Sequence, residues 1–426
     1  MLRSNKRPLS ADLGLGLLLI VLLSIDRAEA ASFDFDLEVE QTEQEPAWQN
    51  NTYVEARGQY FAAGEAWESS RVTAHTELKW GRYAGVEQTQ WRGFVSGRVE
   101  HDERSVDYRA PARAELVEAY LLRDGATTDI TLGKQRVAWG TADGVSTIDR
   151  INAVDLRDPI GNARTASRRP SWLLRIEQKL QTGSLDFVWL PRGRDRKFPE
   201  FGSPWEPSGL NELRMLRRAG AQGLEIEDPH RPEGGVRYQV FGQGVDWSVA
   251  FFNGYTDGPV RARTVAASPG AALLRLSPVR VSTVNIAGAL GLARSTLRGE
   301  VAYTADTWVD SRPSDLWQMV LGWDQTFFTS LYVNLQLYYD RATAAPDTYG
   351  ATFAITQQVF DDAATMGLRG QVGNDAQHAI EAFLDYRLGD QLLLSAKYLS
   401  FDGARSSPLG DFRDNDFAAL TVRWDV

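Results

Sequence analysis

The chain has no cysteine and only four methionines and four histidines in 426 residues. A disulfide framework, thiol catalysis and Cys-ligated metal sites are therefore excluded. Long apolar runs are missing too. The longest, Leu13 to Ile25, is 13 residues, short of the roughly 20 that a membrane helix needs. Further on, Val281 to Ala293 is broken by Asn285, Gly288 and Gly291. An excess of basic charge is also lacking: 46 Lys and Arg against 56 Asp and Glu give a formal net charge of −10. Phosphate backbones bind basic surfaces, so nucleic acid is not an expected partner. No phosphate loop, zinc motif or calcium loop occurs, and no cofactor is expected.

At the N-terminus, Arg3, Lys6 and Arg7 precede the apolar run, and Ala28-Glu29-Ala30 supplies small residues around a cleavage point. This is the pattern of a secretory signal peptide over residues 1–30, cut after Ala30, leaving one domain over 31–426. An exported chain without membrane helices still crosses a bilayer if its strands close into a barrel.

Composition fits that route. Glycine (37), tryptophan (13), tyrosine (14) and phenylalanine (18) are plentiful. The dominant signal is alternation with period two. Leu331, Val333, Leu335, Leu337 and Tyr339 interleave with Tyr332, Asn334, Gln336, Tyr338 and Asp340. Ile380, Ala382, Leu384, Tyr386 and Leu388 oppose Glu381, Asp385 and Arg387, and Leu420, Val422, Trp424 and Val426 oppose Thr421, Arg423 and Asp425. Such strands run to about ten residues, enough to cross a membrane at a tilt, whereas soluble strands average nearer five or six. Trp80, Trp91, Trp172, Trp189, Trp317, Trp323, Tyr339, Tyr386 and Trp424 fall at strand ends, where an interfacial girdle lies.

Strands are expected to begin near residues 32, 70, 89, 113, 127, 171, 183, 235, 245, 283, 295, 316, 328, 350, 364, 377, 391 and 416. The expected fold is all-β: a single transmembrane antiparallel up-and-down barrel of about 18 strands (range 14–18). Residues 42–69 are read as a first loop or a short helix. Tight turns are expected at 181–184, 242–244 and 389–391, while Ala138 to Pro170 and Pro191 to Gly234 form long loops. Short turns would then face the periplasm and long loops the outside.

The segment Gly133-Lys134-Gln135-Arg136-Val137-Ala138-Trp139-Gly140, followed by Asp149, Ile151-Asn152 and Asp155-Leu156-Arg157-Asp158, resembles one shared by porin-like outer-membrane barrels. These include poorly characterised envelope proteins encoded beside lipid-export systems and, more distantly, the alginate-export channels. The runs 252–259, 297–303 and 320–324 fit the same picture. The resemblance implies envelope transport. The terminal Trp424-Asp425-Val426 departs from the aromatic last residue common in such barrels.

Within that segment, Asp149, Arg150, Asp155, Arg157 and Asp158 are candidates for a constriction loop, or for a salt-bridged brace on the wall. The candidate lumen lining is Arg92, Arg98, Arg175, Lys179, Arg237, Arg298, Glu300, Asp324, Lys397 and Arg423, all opposite apolar faces. Lumen charge tunes passage, but pairing with Glu177, Glu300, Asp385 or Asp425 would simply fill the interior. A basic cluster, Arg192, Arg194, Arg196, Lys197, Arg214, Arg217 and Arg218, reads as an exposed loop meeting lipopolysaccharide phosphate or ordinary outer-leaflet lipid. Of the histidines (75, 101, 230, 378), only His101-Asp102 suggests catalysis, and adjacent strand residues face opposite ways.

The chain is therefore expected to be a non-enzymatic channel in a Gram-negative outer membrane, for passage or export of a polar solute, lipid or polysaccharide. A plugged barrel serving as a structural or surface-binding protein is the alternative. Expected partners are outer-membrane lipid and lipopolysaccharide, the barrel-assembly machinery and a periplasmic export partner. The sequence leaves the oligomeric state open.

Overall fold

The computed structural model describes residues 48–62, 67–83, 90–104, 112–140, 144–157, 168–199, 203–218, 223–228, 231–258, 260–268, 271–309 and 312–426. The strands that form the wall run β1 (Trp48–Phe61), β2 (Trp67–Tyr83), β3 (Gln90–Arg104), β4 (Ala112–Asp124), β5 (Thr128–Gln135), β6 (Ser171–Leu180) and β7 (Gly183–Leu190). After β8 (Gly223–Ile226) come β9 (Glu233–Phe241) and β10 (Val245–Tyr255). β11 (Arg261–Ser268) and β12 (Ala271–Ser277) precede β13 (Arg280–Gly291), β14 (Ser295–Val309), β15 (Arg312–Phe327) and β16 (Leu331–Ala342). The wall is completed by β17 (Thr348–Val359), β18 (Ala364–Gly373), β19 (His378–Leu388), β20 (Leu392–Asp402) and β21 (Phe417–Asp425).

Eighteen of these strands form one sheet among the described residues, each pairing antiparallel with its neighbour in sequence. It closes on itself where β1 meets β21, from Tyr53 opposite Asp425 to Phe61 opposite Phe417. Closure leaves no free edge and satisfies the backbone polar groups between strands, as a bilayer core requires. The remaining strands, β8, β11 and β12, make a small separate sheet within the loops.

The wall is inside out relative to a soluble protein. Leu121, Val236, Ile286, Leu321, Leu337, Leu368 and Leu420 are exposed on its outer face, while Asp186, Thr283, Asn285, Glu300, Asn334 and Gln336 are buried within. An apolar side chain of this size forgoes on the order of 1.5–3 kcal/mol when left in water. A continuous belt of them is stable only against hydrocarbon. Outward aromatics sit toward both rims: Trp172, Trp189, Trp317 and Tyr339 at one, Trp80, Trp91, Trp323, Tyr386 and Trp424 at the other.

The two ends differ. Residues 125–127, 181–182, 242–244, 292–294, 328–330, 360–363 and 389–391 turn the chain at the end where β21 also finishes. At the opposite end lie the long connections 136–170, 191–232, 256–279 and 403–416, beside a few short ones.

Every expected strand from residue 70 onward falls within a few residues of a wall strand. The first does not: position 32 lies outside the described residues, as do the signal segment and its cleavage point. The stretch read as a loop or short helix instead contains β1. Its outward residues Val54, Ala56 and Gly58 make a faint apolar face, so pairing with β2 and β21 rather than periodicity defines it.

Candidate functional site

The closed wall surrounds a lumen, and its contents are set by which loops turn inward. The connection after β5 does so first. Its apolar residues Val137, Trp139 and Ile151 are buried against Leu173, Val188, Leu190, Ala250 and Phe252, inward positions of β6, β7 and β10 that break the polar-inside rule. The Trp139 indole N–H donates to Asp186 at 2.9 Å, and the Arg237 guanidinium lies 5.6 Å from its ring centroid. Asn152, fully buried, accepts from the Val137 N–H (2.7 Å) and donates to the Arg169 carbonyl (2.8 Å). These contacts fix where the loop leaves the wall.

The loop then crosses to strands up to half the ring away. The N–H groups of Gly144 and Val145 donate to Gln336 Oε1 of β16 at 2.9 and 3.0 Å. Glu300 of β14 accepts from the Thr147 N–H at 2.7 Å and from the Ser146 hydroxyl at 2.9 Å. Val145 packs on Val320 and Tyr338. Glycine at 144 is what permits this approach, since a Cβ there would lie 2.4 Å from Thr352 Oγ1. Gln336 sits midway along β16, so the loop enters the barrel well below the rim.

Of the candidate constriction residues, Asp149 pairs with Arg168 at 3.4 Å. Arg150 donates to the Thr147 carbonyl at 3.2 Å and to the Gln318 side-chain oxygen. Asp155 binds Arg157 at 2.6 Å and Arg169 at 3.1 Å. Asp158 lies outside the described residues. Burial alone would raise the Asp155 pKa, but the hydrogen bond and charge of Arg157, with Arg169, overcome it and hold the carboxyl at about 2. Arg169 also binds Asp195 at 2.6 Å and Glu115. Burial disfavours its charge, yet these carboxylates leave its pKa above the usual arginine value.

The connection after β7 also reaches across. Trp205, 2% exposed, lies edge-on to Phe61, Phe401, Phe412 and Phe417 at 5.8–6.2 Å between centroids. Phe61, Phe401 and Phe417 are inward residues of β1, β20 and β21, on the far side of the ring from β7. The Ser208 N–H donates to Asp411 at 3.0 Å at the start of helix α1 (Ser208–Arg218).

This connection corrects the reading of an exposed basic cluster. Arg194 and Arg196 are buried, and both bind Glu233, at 2.9 and 2.8 Å. Arg194 also pairs with Asp257 at 2.5 Å, Lys197 with Asp195 at 3.0 Å and Arg214 with Glu206 at 2.5 Å. Guanidinium groups committed to interior carboxylates are not available to lipopolysaccharide. Arg192 stays exposed, and the side chains of Arg217 and Arg218 are not described. Sequence reasoning missed the Trp205 cup, α1 and the small β8–β11–β12 sheet. Phe61, Phe401, Phe412 and Phe417, far apart in sequence from Trp205, gave no local signal for the first.

All ten candidate lining residues face inward; nine take part in the ion pairs that follow, and Glu300 accepts from the Ser146 hydroxyl and the Thr147 N–H of the first inward loop. Arg92 meets Asp124, Arg98 meets Glu115 at 2.9 Å, and Lys179 meets Asp129 at 2.9 Å. Arg175 and Arg237 share Asp186, at 2.9 and 3.5 Å. Arg298 meets Asp324, Lys397 meets Glu381 at 3.7 Å, and Arg423 meets Asp425 at 2.6 Å. These inner-wall charges are thus largely neutralised in pairs, with no group of three or more potential metal ligands among the described residues. His75 stacks on Tyr53 at 4.9 Å, with Glu77 3.2 Å from its Nε2; His230 is outside the described residues.

No protein-family model matches the chain, and no curated protein does. The resemblance to envelope barrels and alginate-export channels therefore gains nothing from those comparisons. Among solved structures, the chain is similar to a mutant porin of Rhodobacter blastica, with 12% identity, 89% of this chain and 100% of that one covered, and a TM-score of 0.44. It is similar to Salmonella typhi OmpF in a complex with daunomycin, with 11% identity, 89% and 97% covered, and a TM-score of 0.45.

Proposed function

We propose that this chain is an outer-membrane channel whose bore is set by the two inward loops. The observation that carries the reading is a closed wall, apolar outside and charged inside, with the connection after β5 folded into the lumen to the middle of β16 and the connection after β7 reaching across to the far strand ends. An apolar exterior requires lipid, and a lumen of ion pairs requires water. Passage of a polar solute fits that interior; export of a lipid or polysaccharide is the version that the sequence resemblance favours. Outer-membrane lipid would surround the belt, and the short-turn rim would face any periplasmic export partner.

Single-channel recording of the purified chain in planar bilayers tests this. Discrete open steps are expected. A folded, heat-modifiable barrel that never conducts would sink it and favour the second reading, a plugged surface protein. That reading has its own support: both loops are fastened to walls opposite their origins. No catalytic role is proposed.

A further inference from the structure

Between Gly144 and Arg157, the charged side chains are Asp149, Arg150, Asp155 and Arg157, and three of them are in ion pairs. Arg150 differs. Its Nε donates to a backbone carbonyl and its terminal nitrogen to the amide of Gln318, both neutral acceptors. A guanidinium has five donors in a planar fork, so most of its hydrogen-bonding capacity stays uncommitted. The side chain is only partly covered, on the loop that crosses the lumen. The acidic groups that face it, Asp257 and Asp340, form no ion pair with it. Asp257 is taken by Arg194 and Arg168, and Asp340 accepts from Gln318 at 3.3 Å.

We infer that Arg150 is an anion subsite where the first loop crosses the passage, so that a carboxylate or phosphate group of the solute meets the loop's one unneutralised charge among the described residues. The inference rests on the channel reading and adds the charge class of what is held there. Burial disfavours the charged form of Arg150. Asp257 opposes that effect, while Arg194 and Arg168 add to it, and the net pKa is below the usual arginine value. Arginine's ordinary value is high enough that the group remains protonated. Its charge is therefore poorly compensated, the condition in which an incoming anion gains most.

Two measurements separate this inference from the channel reading. In bilayers under a potassium chloride gradient, Arg150→Gln is expected to lower chloride-to-potassium permeability about fivefold, as for a unit charge about 4 Å away in water. Gln318→Glu, which adds a carboxylate beside Arg150 while leaving the loop's own residues unchanged, should lower it in the same direction. In detergent, phenylglyoxal labelling read by mass spectrometry should modify Arg150, and inorganic pyrophosphate should protect it. Labelling and protection without conductance would sink the open channel and keep the subsite. Unchanged selectivity in both variants, or Arg150 that pyrophosphate does not protect, would overturn the subsite and leave the channel standing.

Discussion

The first inward loop meets the far wall through a carboxylate and a primary amide, whereas the second meets it through a tryptophan set among four phenylalanines. Both wall seats replace what a water-filled barrel would otherwise present. The polar seat is directional: Gln336 accepts from the N–H groups of Gly144 and Val145, and Glu300 from the Thr147 N–H and the Ser146 hydroxyl, so only one register of residues 144–147 satisfies them. The aromatic cup is less directional but buries far more apolar area. Directional bonds contribute about 1.5–3 kcal/mol each when charged, whereas a buried tryptophan contributes more in one side chain. The difference implies that the second loop is the stronger fastening and the first the more exact one.

The comparison breaks most sharply at Trp205. Truncation to alanine removes the core of the cup and should cost about 3–5 kcal/mol of loop anchorage. Strand closure is untouched, so the barrel should stay heat-modifiable while protease cuts the 191–232 connection and mean conductance rises. Unchanged proteolysis would show that α1 and its contacts hold the loop without the tryptophan.

Glu300→Ala is expected to act next, leaving the buried Thr147 N–H and the Ser146 hydroxyl without acceptors. A stranded buried donor costs about 1–3 kcal/mol. Brief openings to a larger step should appear in single-channel traces, while Glu300→Gln, which keeps an acceptor oxygen, should restore much of the closed dwell time. Gly144→Val comes third. Its Cβ would fall 2.4 Å from Thr352 Oγ1 and 2.7 Å from Gln336 Oε1, an overpacking worth about 1–3 kcal/mol. If the wall side chains simply rotate away, the traces should match the parent chain, and the polar seat would be softer than its geometry implies.

How much of this was legible in the sequence differs between wall and loops for a physical reason. Wall strands obey a period of two because one face meets lipid and the other water, so Leu335, Leu337 and Tyr339 declare themselves without any partner. β1 escaped because Ala56 and Gly58 carry little apolar signal. The inward direction of Arg175, Arg237 and Arg423 also followed from alternation. What did not follow was partnership. Arg194 and Arg196 read as surface charge because Glu233, their common acceptor, lies more than thirty residues on and counted only as the edge of a loop. Likewise Leu173, Val188 and Phe252 face inward because Trp139 covers them, a tertiary fact with no local period.

The smallest expected effect concerns acid, and it acts where the first connection is tied to the second. The folded Asp155 carboxyl sits at about 2, against an ordinary value of 3.8. A depressed carboxyl adds stability that is complete above the ordinary value and is lost as pH falls through the folded one. Asp195, which shares Arg169, is also lowered: burial opposes the shift, and Arg169 and Lys197 outweigh it. The ties between residues 155–157, Arg169 and Asp195 should therefore be constant from neutral pH to about 4 and weaken between about 4 and 2. Closed-state noise recorded against pH should stay flat and then rise only in that acid window. Arg157→Gln, which removes the largest favourable partner of Asp155, should move the onset upward toward 4. Asp195 lies in the 191–232 connection, so protease cuts beside it should follow the same curve, whereas the ring contacts of Trp205 with Phe61, Phe401 and Phe417 do not titrate. An onset near pH 6 would point instead to a histidine and would detach the acid response from this loop.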